Sequence, residues 1–496
     1  MNETQEQIRV FFEPRSVAII GASRDIAKAG HVIFKNFVEN RKRGLFKGEL
    51  YGVNPSEQSI LGYPCYPTVL DVPGQVDLVT IVVPARVVPK VMEEAAKKHV
   101  KAAVVISSGF GEIGEKGLEE QVKRIASEAQ IRLIGPNCLG VFDSYTGVDM
   151  LFLPETKVLS TGDEVVATPR PMPGYITLMT QSGAFGPAAL DFLTGRNLGI
   201  SKMISLGNKA DVSEPEILEY LLEDTKTRVV LQYVEGISKG REFLRVAQEV
   251  TTHKPIVTLK SGRTSAGARA AASHTGALSG SDLVYDGVFK QAGIIRVKDM
   301  EEFFDVAKAF IYQPPAQGEN VAILTDAGGP GVMCTDEIES RGLSIKPLSN
   351  GALERIEELI KAGKIPSFAS TRNPIDLTGS ATSEMFELCT KILVEEPSVH
   401  GMVVIGLHCV PGLNDDYVDL IANIANERKK PVVACDIGGT EMALYVRSRF
   451  EKLGVPCYET PEAAARAMSA LVRYGKYLKE NGHFERYLKK FNSWFA

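Results

Sequence analysis

Two hydrophobic rhythms alternate along the chain. Continuous β-branched runs at 16–22 (SVAIIGA), 50–54 (LYGVN), 76–84 (VDLVTIVVP), 102–109 (AAVVISSG) and 131–137 (IRLIGPN) are separated by helix-length stretches. Unbroken apolar runs of this kind are the pattern of parallel strands buried on both faces, and the stretches between them read as crossover helices. They predict one doubly wound α/β domain over 1–146. A proline-containing stretch from Leu153 through Pro154, Pro169, Pro171 and Pro173 breaks the rhythm. It resumes at 175–180 (YITLMT), 202–207 (KMISLG), 228–236 (RVVLQYVEG), 254–262 (KPIVTLKSG) and 294–297 (IIRV), and a helix at 301–312 is expected to close a second domain over 147–313. The segment 312–320 (YQPPAQGEN) reads as a linker, because paired prolines end the helix and small polar residues follow. A third domain over 319–496 opens on 321–329 (VAILTDAGG) and continues through 344–348 (SIKPL), 401–407 (GMVVIGL) and 430–439 (KPVVACDIGG) to a helical tail from Pro461.

Length agrees with this partition, since 496 residues suit three domains of ordinary size. A net charge of −5 with no long basic run gives no electrostatic footprint for nucleic acid or an anionic membrane, and both are excluded as main partners. Residues 1–14 lack a basic segment followed by an apolar stretch, and no window approaches an uninterrupted membrane span, so a soluble, cytoplasmic protein is expected. The seven cysteines are scattered without a CxxC pair, which suggests neither a disulfide framework nor a cysteine zinc site; no metal site is expected on this chain.

Candidate chemistry gathers at strand ends. The first strand-to-helix turn, GASRDIAKAGH (21–31), can bring backbone N–H groups and a helix start toward a phosphate. It departs from G-x-G-x-x-G, and the second strand ends in Asn54-Pro55 where a nicotinamide enzyme would offer an acid to the ribose, so a nicotinamide oxidoreductase is disfavoured. TQSGAFG (180–186) is a second such turn; Ser182 there reads equally as a helix cap, and a cap is compatible with phosphate binding by Ser182 and Gly183. LTDAGGPGVMC (324–334) is a third, with Gly328 and Gly329 at the helix start. His274 lies among small residues in AAASHTGALSGSD (270–282), where a phosphoryl group can approach closely, and a neutral imidazole is a competent nucleophile near pH 7. Of the other histidines, none has a comparable setting. No GxxxxGK[ST] phosphate loop occurs.

Taken in order, GASRD (21–25), YGVNP (51–55), VVPA (82–85), SSGFGE (107–112) and GPNCLG (135–140) resemble the CoA-binding domain of the succinyl-CoA synthetase superfamily. All five stand at the carboxyl ends of strands, where ligands of open α/β sheets bind. The resemblance implies an N-terminal Rossmann-like CoA-binding domain followed by two flavodoxin-like doubly wound domains. It assigns CoA to Gly21, Ala22, Ser23, Asn54, Pro55, Val83, Pro84, Ser107, Ser108, Asn137 and Cys138. It makes His274 the phosphohistidine, Glu235 the carboxylate that orients its ring, and Asp211 in SLGNKADVS (205–213) a neighbour of the phosphate. Two departures stand out. Ser56 and Glu57 follow Asn54-Pro55 where the succinyl enzymes carry a lysine, and Pro187 replaces a tyrosine of the bacterial succinate enzymes, which argues against a succinate-like pocket.

The region through NPIDLTG (373–379) and CDIGGTE (435–441) resembles the carboxyl-terminal domain that succinyl-CoA synthetases place on their other subunit. That arrangement is similar to the α subunits of ADP-forming acetyl-CoA synthetases. It implies an acid-thiol ligase that handles CoA, phosphate and a small carboxylic acid or its acyl-CoA. ADP or ATP, with Mg, would then sit on a nucleotide-grasping β subunit in an α2β2 complex. The competing expectation is a non-catalytic CoA-sensing or acyl-CoA-sensing subunit on the same fold, against which His274 and Glu235 argue.

Overall fold

The computed structural model describes residues 2–275 and 281–495, with side chains for all of these except 271–275. Packing divides the chain into two compact units, one ending at Arg296 and the other beginning at Val297. The first unit contains two seven-stranded sheets.

In the first sheet the spatial order is Ser59–Ile60, Tyr63–Tyr66, Glu49–Val53, Ser16–Ile20, Leu78–Ile81, Ala102–Val105, Arg132–Ile134. Ser16–Ile20 pairs in parallel with Glu49–Val53 on one side and with Leu78–Ile81 on the other. The chain therefore reverses its direction of travel across the sheet beside Ser16–Ile20, and such a switch point opens a crevice at the strand ends. The apolar runs lack alternation because both faces are covered. Val17, Ile19, Leu78 and Val104 pack in one core with Ile33, Phe34 and Phe37 of the helix Ala29–Lys42. Ala18, Ile20, Val79 and Val105 pack in a second core with Val91 and Met92 of Val88–Lys97 and Val122 of Lys116–Glu128.

The second sheet runs Ile295–Val297, Ile256–Lys260, Val229–Val234, Pro173–Thr180, Ile200–Ser205, Val141–Asp143, Val148–Asp149. Its last two strands lie within or next to the expected first domain. Val141–Asp143 pairs antiparallel with Ile200–Ser205, and Lys202 on the latter, almost fully buried, is held by Asp143 at 3.3 Å and Asp224 at 2.9 Å. The second sheet thus takes strands from both segments, so the two layers do not simply meet at a linker. The proline-containing stretch carries an exposed hairpin, Thr156–Val158 with Glu164–Val166.

The second unit is built on a parallel sheet ordered Ile375–Asp376, Val321–Thr325, Gly401–Ile405, Val432–Cys435, Cys457–Tyr458. The helix Met300–Tyr312 packs on the long helix Pro461–Glu480, and its Lys308 ammonium donates to Glu451 (2.7 Å) and to Cys457 O (2.6 Å). One expectation is corrected here. The run 344–348 supplies only an isolated bridge, Asn320 with Ser344. Pro347 has no N–H to give a ladder, and the Lys346 N–H goes to the Asn320 side chain at 3.0 Å. The edge strand comes from Ile375–Asp376 instead. Among the described residues no helix is long and apolar enough to cross a membrane.

Candidate functional site

In the first unit, a cavity of about 430 Å³ opens at the strand ends. Ser107 and Ser108 reach it from the end of Ala102–Val105, Asn137 and Cys138 from the turn after Arg132–Ile134, and Ala29 from the first turn of Ala29–Lys42. Gln181, Ser182 and Gly183 close it from the other layer, with Phe152 on the wall. Four of the CoA candidates and two of the three phosphate candidates of the second domain, Ser182 and Gly183, are therefore brought to one space. Gly183 has nothing within 4 Å of where a Cβ would stand, so its turn is bare toward the cavity. The Ser182 hydroxyl accepts the Phe185 N–H (3.3 Å), although the N-cap position of Phe185–Gly195 is Ala184 and not Ser182. Burial pushes the Cys138 thiol up to about 12, which leaves it protonated at neutral pH.

Gly21, Ala22, Ser23, Asn54, Pro55, Val83 and Pro84 stand at the same edge of the first sheet but outside this cavity. Their local bonds account for several of them. Gly21 has φ +94, and a Cβ there would lie 2.2 Å from Val82 O, so only glycine fits. The Asn54 amide donates to Ala22 O at 2.8 Å while its oxygen accepts the Ser56 N–H at 2.8 Å. Nδ1 of His31 donates to Ser23 O at 2.9 Å. The Ser107 hydroxyl donates to Val83 O, tying two strand ends together. Asp211 is not brought to the cavity: its carboxylate accepts from Arg132 (2.9 and 3.2 Å) and from the Leu133 N–H (2.9 Å), a structural ion pair that fixes the strand Arg132–Ile134.

Glu235 follows directly on Val229–Val234, at the carboxyl edge of the second sheet. Tyr233 stacks on Phe185 with ring centroids 4.3 Å apart. Burial pushes the Tyr233 hydroxyl up; a hydrogen bond to Ser261 works against this, while the Glu235 carboxylate raises it further. The side chain of His274 lies outside the described residues. Its helix, Ser265–Thr275, packs against the single turn Gly111–Ile113 in SSGFGE, which places that helix beside the loop that begins at the cavity. Glu112 in this loop accepts the Phe110 and Gly109 N–H groups and the Asn208 amide (2.8 Å). Burial alone would raise its carboxyl, but these donors hold it below its ordinary value.

In the second unit, Gly328 and Gly329 open the helix Gly328–Ser340. The Asp376 carboxylate would lie 2.8 Å from a Cβ at Gly328, so this helix start faces an acid of its own fold. Sequence reasoning passed over two neighbours of this region. Asp326 is buried at the end of Val321–Thr325 and accepts the Leu407 N–H on both oxygens (3.1 and 3.0 Å). Burial pushes its carboxyl up to about 7, and the nearby Asp436 and Asp376 add to the rise. His408 has a more specific setting than its sequence suggested, with Nδ1 2.7 Å from Asp436.

Three family models match in the order of the layers just described: a CoA binding domain over residues 15–143, a succinyl-CoA ligase like flavodoxin domain over 173–310, and a ligase-CoA domain over 321–477. The α subunit of acetate–CoA ligase [ADP-forming] I from Pyrococcus furiosus is 40% identical over 95% of this chain and 98% of its own length. The chain belongs to the family of ADP-forming acetate–CoA ligases. Another member, the acetate–CoA ligase [ADP-forming] of Methanocaldococcus jannaschii, is 37% identical over 99% of this chain, which spans 66% of that protein. Among solved structures of the family, an acetyl-coenzyme A synthetase of Ca. Korarchaeum cryptofilum in complex with phosphate and ADP superposes with a TM-score of 0.85, at 35% identity over 96% of this chain and 98% of that one.

Proposed function

We propose that this chain is the α subunit of an ADP-forming acyl-CoA ligase that interconverts acyl-CoA, ADP and phosphate with a carboxylic acid, ATP and CoA. The observation that carries the reading is the shared cavity, where strand ends of the CoA binding domain meet the TQSG turn of the flavodoxin-like domain. In the ATP-forming direction, an oxygen of inorganic phosphate attacks the thioester carbonyl, the C–S bond breaks, and CoA leaves as thiolate to take up a proton. Cys138 does not compete as the nucleophile, because a thiol raised to about 12 is only about one part in 10⁵ thiolate at pH 7. A ring nitrogen of His274 then attacks the phosphorus of the acyl phosphate, the P–O bond breaks and the carboxylate departs. Glu235 accepts the other ring N–H and stabilises the charge on the imidazole. Ser182 and Gly183, at the start of Phe185–Gly195, face the transferring phosphoryl group, and Gly328 and Gly329 play that part in the other ligase domain.

A nucleotide-grasping β subunit carrying ADP and Mg completes the cycle in an α2β2 complex. This is supported by relatives named as α subunits and by a neighbour solved with ADP and phosphate. A cytoplasmic location belongs to the same reading, and the seven free cysteines support it. The test gives the chain acyl-CoA and labelled phosphate. One residue should take up label that is stable to alkali and labile to acid. His274→Ala should abolish the labelling and Glu235→Gln should slow it by about one to three orders of magnitude, while CoA binding survives both. Label persisting in His274→Ala would move the acceptor elsewhere; CoA binding without any labelling would favour a sensing subunit.

A further inference from the structure

Side chains to which the foregoing assigns no role hold the backbone at Glu235. The Gln181 carboxamide oxygen accepts the Glu235 N–H at 2.7 Å and the Gly236 N–H at 3.0 Å, and its nitrogen donates to Gly236 O at 2.6 Å and to Glu214. The Lys209 ammonium donates to the same Gly236 O at 2.6 Å and to Glu214 at 2.9 Å. Glu214 is 2% exposed. One residue before Lys209, the Asn208 amide donates to Glu112 (2.8 Å) and Glu119 (2.7 Å), and its oxygen accepts from Asn137 (3.2 Å), a residue of the cavity wall. The turn Gly207–Asn208–Lys209 thus grips the loop 107–112 with one side chain and the Glu235 strand end with the next.

This grip carries local costs. Lys209 has φ +58, a left-handed conformation that is unfavourable for a side-chain-bearing residue. Gly207 also has φ +58, and a Cβ there would lie 2.2 Å from Pro136 O, so the turn is pressed against the backbone beside Asn137. The buried Lys209–Glu214 pair must be desolvated, and such pairs are weak sources of stability. Gly236 O is already satisfied by Gln181, so Lys209 is not needed to fill a vacant hydrogen bond. Together these contacts hold the backbone at Glu235 and Gly236, and the same turn grips the loop against which the helix Ser265–Thr275 packs.

We propose that Lys209, with Gln181 and Glu214, is a positioning residue for the phosphoryl-transfer step, acting through Glu235. The inference rests on the assignment of Glu235 as the partner of His274. Lys209→Met alone would leave the buried Glu214 carboxylate without the Lys209 cation, so the main variant is Lys209→Met with Glu214→Gln, accompanied by Lys209→Arg. With the full chain, acyl-CoA and labelled phosphate, the double variant should label about 10- to 100-fold more slowly than wild type. Its CoA affinity should stay within about two-fold, and Lys209→Arg should recover most of the rate. Adding Glu235→Gln to the double variant should cost no more than Glu235→Gln alone, because residues acting through one group are not additive. Wild-type labelling in the double variant overturns the proposal, as does a loss that multiplies with that of Glu235→Gln, or one matched by an equal loss of CoA affinity. Should the double variant fail to fold, Gln181→Leu is judged by the same criteria. Wild-type labelling in Glu235→Gln alone would instead remove the assignment on which the inference rests, whatever Lys209 does.

Discussion

At the scale of single residues, burial decides which groups are reactive and which are inert. Cys138 and Asp326 both end up under cover, and in both the neutral form is favoured, since desolvation penalises charge. For Asp326 this has a consequence for stability. Its folded carboxyl titrates near about 7, whereas an unfolded aspartate titrates near about 3.9. Below the unfolded value both states hold the proton and nothing is lost. As pH rises through the interval up to 7, the unfolded chain releases its proton while the folded one retains it, so stability falls; above 7 the loss is complete. Asp326→Asn keeps an acceptor for the Leu407 N–H and removes the titration. Its melting temperature relative to wild type should rise steadily from pH 4 to pH 8, by roughly ten degrees in all, at about 1.4 kcal/mol for each pH unit between the two titrations and about 2–4 °C per kcal/mol for a unit of this size. Thermal scans of both proteins across that range check it, and a difference that does not grow with pH would contradict the burial argument.

Elements impose a different constraint, because backbone groups must find partners whichever domain they were expected to serve. Val141–Asp143 begins within the expected CoA-binding segment yet pairs with Ile200–Ser205. The turn before it is held from the same layer: Ala210 N–H donates to Gly135 O (3.0 Å), Asn208 N–H to Pro136 O (2.9 Å), and the Leu139 N–H to the Ser205 hydroxyl (2.9 Å). Although residues 1–146 hold every CoA candidate, a fragment ending at Thr146 would lose these bonds and the Lys202 clamp on Asp143. It is expected to be poorly soluble or to lack a cooperative melt. A fragment ending at Arg296, where the first packed unit ends, should melt cooperatively and bind CoA by calorimetry. A cooperative 1–146 fragment with full CoA affinity would mean that the shared sheet is dispensable.

For the molecule as a whole, the division of labour is the open variable. The chain spans nearly all of the Pyrococcus furiosus α subunit but 66% of the Methanocaldococcus jannaschii ligase, so in this family the same three layers occur both as a separate subunit and within a longer chain. If the nucleotide site lies on a partner, as proposed, ADP added to the isolated labelled chain should leave the phosphoryl group in place. Discharge to ATP should need the partner subunit and should then complete within a few turnovers. The check is a filter assay of retained label with and without partner; rapid discharge by ADP alone would place a nucleotide site on this chain.

The sequence by itself determined the class of each layer and the places where chemistry could stand. Unbroken apolar runs encode strands buried on both faces, and Gly- and Ser-bearing turns at their carboxyl ends follow from that pattern without knowledge of any partner. The pattern put Ser107, Asn137, Ser182 and Glu235 at strand ends; the family resemblance, not the pattern, is what singled out Ser107, Asn137 and Glu235 there. Local pattern carries no information on which distant ends meet. Only tertiary structure decided that Val141–Asp143 joins the second sheet, that Met300–Tyr312 packs on Pro461–Glu480, and that Asp211 is consumed by Arg132. Gln181, Lys209 and Glu214 were illegible for the same reason: a carboxamide and an ammonium on separate turns and a carboxylate at a helix start look like solvated surface until folding brings the first two to the backbone of Glu235 and Gly236 and the third to both of them. Strand identity is a property of a few adjacent residues, whereas the desolvation and convergence that make a site are properties of the packed whole.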